Sequence, residues 1–314
     1  MITWIKEHTI NNIKPCCRVC RSSSDNQKVR ANYVYGGNSE HKFYHCNNCD
    51  LVYLWPVPSM DEEREFYKKD FEEFMEDRSS SERNWSTPEK HIETNKDNVI
   101  RRFGFLERFL LNGKRVLEIG CSSGFMLDAF SDCGLNVVGV EPSGVFSNFL
   151  NKKGYEIYSS IPELILSKPK IKFDLIVHFF VLEHIRDTKE FITEQINLLN
   201  DDGAIVIEVP CVNDPLTSLY SVPEFEQFYW SIAHHYYFSP KSISYILDKI
   251  PCNYNIVPEQ RYDLSNHMVW MQEGKPGGQG LYDKVFLPEM TELYKKSLKD
   301  SWNCDTMFIY ITKN

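Results

Sequence analysis

The stretch Val116-Leu117-Glu118-Ile119-Gly120-Cys121-Ser122-Ser123-Gly124 decides the fold. It reads as a buried strand ending in a carboxylate, then a glycine turn and the start of a helix. That order presents backbone amides and a helix N-terminus to a ligand. A dinucleotide fingerprint would read G-x-G-x-x-G, and this segment does not, which sets a nicotinamide-dependent dehydrogenase aside. The acid stands two residues before the first glycine, a placement that suits a ligand with a cationic amino-acid end. The next apolar run closes with Gly139-Val140-Glu141-Pro142-Ser143, one strand-helix-strand unit later. An acid at that strand end accepts hydrogen bonds from both ribose hydroxyls of an adenosine. Either glutamate alone reads equally as a solvated rim residue; the pair at this spacing describes a nucleoside site.

Outward from this stretch, apolar runs of strand length recur at 115–119, 136–140, 155–158, 173–179 and 204–209, with helical stretches between them. Strands apolar on both faces and separated by helices predict an α/β fold, a doubly wound and mostly parallel sheet covered on both sides. A helix is predicted over 96–111, stopped by Asn112-Gly113. After the fifth strand the rhythm breaks into an aromatic-rich insertion at 211–238. Ser239-Pro240 then starts a helix running to about Lys249. The tail offers a strand near 253–258, a helix near 281–299 and a last strand at 306–312.

The N-terminal region differs in kind. Cys17-x-x-Cys20 and Cys46-x-x-Cys49 each offer two thiolates from one tight turn, and two such turns close a tetrahedral zinc site. All four positions are cysteine, which leaves no place for water, so the predicted zinc is structural. Free thiols are the alternative, and Cys16 replaces Cys17 as ligand if the turn is wider. The remaining cysteines read as small buried hydrophobes. The division that follows is a zinc-binding β module at 1–60, a charged linker or lid at 61–94 made of one helix and a polar loop, and the main domain at 95–314.

Bulk properties narrow the function. The chain of 314 residues carries 35 Lys+Arg against 44 Asp+Glu, a formal net charge of −9, which argues against affinity built on nucleic-acid phosphates. A small-molecule acceptor fits better than a nucleic acid or a membrane. No apolar run approaches bilayer length and the first ten residues lack a signal-peptide core, so the sequence reads as cytoplasmic. Its oligomeric state is not legible.

With these residues in view, the segment from about 113 to 210 resembles the class I S-adenosylmethionine-dependent methyltransferases. VLEIGCSSG matches their glycine-rich first motif, with Ser122 in place of its middle glycine. GVEPS matches the second-strand acid, FDLIVHFFVLEHI the fourth strand and its loop, and DDGAIVIEVP the fifth strand. The resemblance implies a seven-stranded Rossmann-like sheet and a cofactor site of Glu118, Gly120, Cys121, Ser122, Gly124, Glu141, Pro142, Leu182 and Glu183. A four-cysteine module ahead of that fold, with Tyr44, Pro56 and Pro58 in register, resembles the deoxysugar C-methyltransferases and their relatives in surface-polysaccharide biosynthesis. The implied acceptor is a sugar or nucleotide-linked sugar.

The sulfonium cofactor brings an electrophilic methyl group, so the protein must align an acceptor and exclude water. A sugar hydroxyl also needs a base. The candidates are His184 in VLEHI and His234 and His235 in AHHYYFS; the bland alternatives are a loop-fixing hydrogen bond and simple packing. The resemblance matches His234 to the sugar C-methyltransferases' His-Glu-His stretch. Ala233 and Ile232 replace its other two members, which favours O- or N-methylation over C-methylation. The competing readings are an RNA methyltransferase with a zinc module and a non-catalytic zinc-module scaffold.

Overall fold

The computed structural model describes residues 15–66, 74 and 87–314. From the N-terminal side, β1 (Gln27–Ala31), β2 (Lys42–Cys46) and β3 (Val52–Trp55) form an antiparallel sheet. Pro56 and Pro58 end it, and Ser59 starts α1 (Met60–Glu65) with a reciprocal cap to Glu62. The remainder of the charged helix and loop read from 61–90 lies largely outside the described residues, at 67–73 and 75–86.

The helix predicted over 96–111 starts where expected and ends five residues earlier, and a further helix precedes it in the segment read as linker. The two are α2 (Pro88–Thr94) and α3 (Lys96–Leu106), the latter followed by a 3-10 turn at Glu107–Phe109. Asn95 separates them: its side-chain amide donates to the His91 carbonyl at 2.8 Å and so competes with the helical ladder.

The apolar runs then form strands as their patterns dictate. In chain order come β4 (Arg115–Ile119), α4 (Phe125–Asp132), β5 (Asn136–Val140), α5 (Gly144–Lys152), β6 (Glu156–Tyr158), α6 (Ile161–Ser167), β7 (Phe173–Phe179), α7 (Thr188–Leu198) and β8 (Leu199–Pro210). The insertion holds α8 (Pro215–Ser218), α9 (Pro223–Tyr229) and β9 (Tyr236–Tyr237). The tail adds α10 (Pro240–Leu247), β10 (Cys252–Glu259), α11 (Leu264–Glu273), α12 (Pro288–Asp300) and β11 (Thr306–Lys313). Of these, α11 has no counterpart in the sequence reading. Asp263 caps it and Gly274 ends it in the left-handed region.

The main sheet has seven strands in the order β10-β11-β8-β7-β4-β5-β6. β11 alone runs antiparallel to its neighbours, so this is the mostly parallel Rossmann-like methyltransferase sheet. The chain leaves β4 toward β5 and β6 on one side and returns to β7 on the other. That reversal of winding direction falls at the carboxyl ends of β4 and β7, the place where folds of this type bind ligands.

The insertion completes the N-terminal sheet, because β9 pairs with β3 through Val52 opposite Tyr237 and Tyr53 opposite Tyr236. Phe43 and Leu54 of the module share one buried cluster with Trp230, Ile232 and Tyr237 of the insertion. Burying a side chain the size of Phe43 contributes roughly 1.5–3 kcal/mol, so the two segments stabilise each other. On its other side, Cys17, Cys46 and Leu51 pack into the cluster that contains Ile205 and Ile207 of β8.

Candidate active site

The turn after β4 is built from left-handed residues. Gly120 has φ +71°, and a Cβ there would stand 2.6 Å from Val181 Cγ2. Gly124 has φ +80°, and a Cβ there would meet Leu150 Cδ2 at 2.4 Å. Between them Ser122 also takes a positive φ of 44°, a conformation that costs a non-glycine residue about 1–2 kcal/mol. Glu141 offsets that cost: its carboxylate accepts from the Ser122 amide at 2.6 Å and from the Ser143 amide at 2.8 Å. The acid at the tip of β5 thus holds the loop after β4 in shape.

Glu118 lies beside this loop, 3% exposed, and among the described residues its Oε2 has no hydrogen-bond partner. Burial raises its carboxyl well above the usual range; Arg102 partly relieves this and Glu141 adds to it. A buried carboxylate oxygen without a partner is a site prepared for a cation or a donor. Of the other predicted cofactor residues, Cys121 turns its thiol inward against Gly139, so it offers only its backbone to a ligand. Pro142 is exposed at the rim and Leu182 is fully buried in the core.

A second group converges from the loop after β7 and from the insertion. The 3-10 turn Leu182–His184 puts Glu183 and His184 next to Val181, the side chain that abuts Gly120. His184 and His234 meet ring to ring at 4.8 Å in an edge-on arrangement. His184 Nδ1 donates to the Ala233 carbonyl at 2.7 Å, which leaves Nε2 as the acceptor, 4.0 Å from Glu183 Oε1. The loop-fixing bond sets the tautomer of His184 and turns Nε2 toward Glu183. Glu183 is 1% exposed, neither of its carboxylate oxygens has a hydrogen-bond partner among the described residues, and burial pushes its carboxyl up to about 8.

His235 is directed elsewhere. Its Nε2 meets Glu63 Oε1 at 2.6 Å, its Nδ1 meets Arg18 Nη1 at 3.2 Å, and Arg186 binds the other oxygen of Glu63 at 2.7 Å. Arg186 also donates to the Pro58 carbonyl. The His235 amide donates to the Glu183 carbonyl at 2.8 Å. Both of its ring nitrogens are engaged in this network, which ties the loop carrying Glu183 and His184 to α1 and to the N-terminal module.

The four cysteines of the two C-x-x-C pairs come together, with Cys17 Sγ 3.6 Å from Cys49 Sγ and Cys20 Sγ 3.5 Å from Cys46 Sγ. Four thiolates at about 2.3 Å from one zinc ion lie about 3.8 Å apart, so the donor set fits such an ion closely. Cys16 is exposed and stands outside the cluster. A thiol hydrogen bond from Cys49 lowers Cys17 to about 5.

Several residues here carry no local sequence signal. His91 of α2 hydrogen-bonds Ser123 of the glycine turn at 2.8 Å and packs against Phe125 and Phe146. Arg102 and Arg101 of α3 hold Glu208 of β8 at 2.9 and 2.6 Å and keep its carboxyl low against the burial that would raise it. Arg18 and Glu63 sit 217 and 172 positions from His235, so only the fold brings them to it.

A family model described as a methyltransferase domain matches residues 89–254, just over half of the 314-residue chain. The chain belongs to the methyltransferase-domain family. This methyltransferase is 29% identical over 102 residues to a ubiquinone biosynthesis O-methyltransferase of Rhizobium etli, covering 31% of this chain and 41% of that one. It is 30% identical over 119 residues to the protein of the same name from Pelagibacter ubique, covering 36% and 49%. The chain thus spans less than half the length of these curated relatives. Among solved structures, an S-adenosylmethionine-dependent methyltransferase from Archaeoglobus fulgidus aligns with a TM-score of 0.48 at 19% identity, covering 69% of this chain and 94% of that one. The plantazolicin methyltransferase BpumL, in complex with S-adenosylhomocysteine, aligns with a TM-score of 0.46 at 14% identity, covering 80% and 94%.

Proposed function

We propose that this methyltransferase moves the methyl group of S-adenosylmethionine to a hydroxyl oxygen of a small acceptor of the sugar or nucleotide-sugar class. The observation that carries the reading is the pair of buried strand-tip carboxylates, Glu118 and Glu141, on either side of the left-handed turn 120–124. The Glu118 oxygen without a partner among the described residues suits the cofactor's ammonium group. Glu141 suits the ribose hydroxyls, as an acid at this strand end does in nucleoside sites generally. The bound cofactor supplies an activated methyl group, and the chain's work is to orient the acceptor and receive its proton.

That proton falls to the half-buried imidazole pair His184 and His234, which meets at the loop after β7. His235 is a positioning residue, since its ring is occupied by Glu63 and Arg18. The four-thiol cluster holds a structural zinc ion, which locks the N-terminal module against the insertion. The sugar class rests on the four-cysteine module's resemblance to deoxysugar methyltransferases, and transfer to oxygen accords with the names of the curated relatives.

The test is a panel of nucleotide sugars and free glycosides incubated with isotopically labelled cofactor, read as a mass gain of one methyl group. Transfer to a sugar hydroxyl is the expected result. Transfer only to a phenol would overturn the sugar assignment, and failure to bind the cofactor by calorimetry would overturn the whole reading.

A further inference from the structure

We propose that Glu183, His184 and His234 form a binding site for one divalent transition-metal ion that takes the acceptor's hydroxyl oxygen as a further ligand. The donor atoms of the three residues all lie within 4.8 Å of one another. Two imidazoles and one carboxylate are a donor set that borderline divalent ions accept, and three protein ligands leave coordination positions open for substrate.

Two observations point to an ion here. Glu183 is 1% exposed, yet among the described residues neither carboxylate oxygen has a hydrogen-bond partner, and Oε1 lies 4.0 Å from His184 Nε2. A buried carboxylate is normally paired or bound to metal. His184 also shows the arrangement typical of a metal-bound imidazole: Nδ1 gives its hydrogen to a backbone carbonyl, at 2.7 Å, which makes Nε2, the nitrogen nearer Glu183, the ligand atom. Three donors at about 2.0–2.2 Å from an ion stand about 3–3.6 Å apart, so the group reaches binding geometry by rotamer-scale closure.

The acceptor part of this proposal rests on the functional reading above; the metal site itself does not. With the ion bound, His184 and His234 act as its ligands rather than as the base: the ion-bound hydroxyl gives up its proton to water, and the alkoxide oxygen forms a bond to the methyl carbon. The carbon–sulfur bond breaks, with its electron pair staying on sulfur, so the sulfonium becomes a neutral thioether. The cluster differs from the four-thiol site in hardness, and thiolates hold zinc far more strongly than manganese.

Manganese(II) is therefore the probe, titrated into zinc-loaded protein and followed by loss of the free-ion electron paramagnetic resonance signal. One Mn²⁺ per chain with micromolar affinity is expected, weakened at least tenfold in Glu183→Gln and in His234→Ala. Retention of zinc by each variant shows that it is folded, and His184→Ala serves where either variant does not retain it. Absence of Mn²⁺ binding up to millimolar concentration, or equal binding in the folded variants, overturns the proposal. Cofactor affinity is measured in parallel. Metal binding without cofactor binding would sustain the site while sinking the methyl-transfer reading, and cofactor binding without metal binding would do the reverse.

Discussion

Arg18 Nη1 meets His235 Nδ1 at 3.2 Å, joining the turn between Cys17 and Cys20 to the residue that follows His234. The guanidinium also lies over the Tyr236 ring at 4.7 Å. The turn that carries Cys17 and Cys20 is thus connected, through one side chain, to the segment that carries His234.

Arg18→Ala is expected to lower kcat about tenfold, a loss of ~1.4 kcal/mol, because catalytic groups displaced by a fraction of an ångström lose alignment. KM for the cofactor and the zinc content should stay unchanged. Steady-state kinetics with zinc analysis reads all three, and an unchanged kcat would show that the module does not position the histidines.

Zinc removal reaches the same segment from the other side. Cys46→Ser, or stripping by a strong chelator, should lower the melting temperature and expose the paired strands β3 and β9 together, because both rest on the thiol-bearing turns. Hydrogen exchange of the Leu54 amide, which donates to the His235 carbonyl across the two segments, checks this. Continued protection of it would mean that the sheet holds without metal.

Glu141→Ala should weaken S-adenosylmethionine binding by about 10- to 100-fold, or roughly 1.5–3 kcal/mol, the range for hydrogen bonds to a charged group. Part of that loss comes through Ser122, whose strained turn depends on the same carboxylate. Calorimetry separates Glu141→Ala from Glu141→Gln, which keeps one acceptor and should lose less.

Glu118 gives a pH signature. Its folded-state pKa is raised, chiefly by burial, so the folded protein holds a proton that the unfolded chain releases above about 4.3. Its contribution to stability is full below that value and is lost as pH rises toward the folded pKa. Glu118→Gln should therefore melt higher than the parent at pH 8, by about 2–4 °C for each kcal/mol recovered, with a smaller gap at pH 4. It should also bind the cofactor more weakly. Equal gaps at the two pH values would show that the carboxylate is not penalised by burial.

The parallel strands were legible because their cause is local. RVLEI and FDLIVHF are apolar on both faces, and such runs have no stable place except inside a covered sheet. The acid, the glycines and the second acid were legible for the same reason, since strand end and turn lie within a few residues. The two C-x-x-C pairs declared their cluster by spacing alone.

Tertiary structure decided what depends on distant pairing. The sequence placed 211–238 inside the main domain as an insertion, but β9 spans only Tyr236–Tyr237, too short to announce itself, and it closes the N-terminal sheet by pairing with β3. His91, Arg18 and Glu63 join the site from elements that carry no motif, across 32, 217 and 172 positions. Local chemistry fixes which residues form a strand, a turn or a thiol knuckle. Which histidine faces Glu183 and which faces Glu63 is set by the packing of three segments against one another, and no single stretch of chain encodes it.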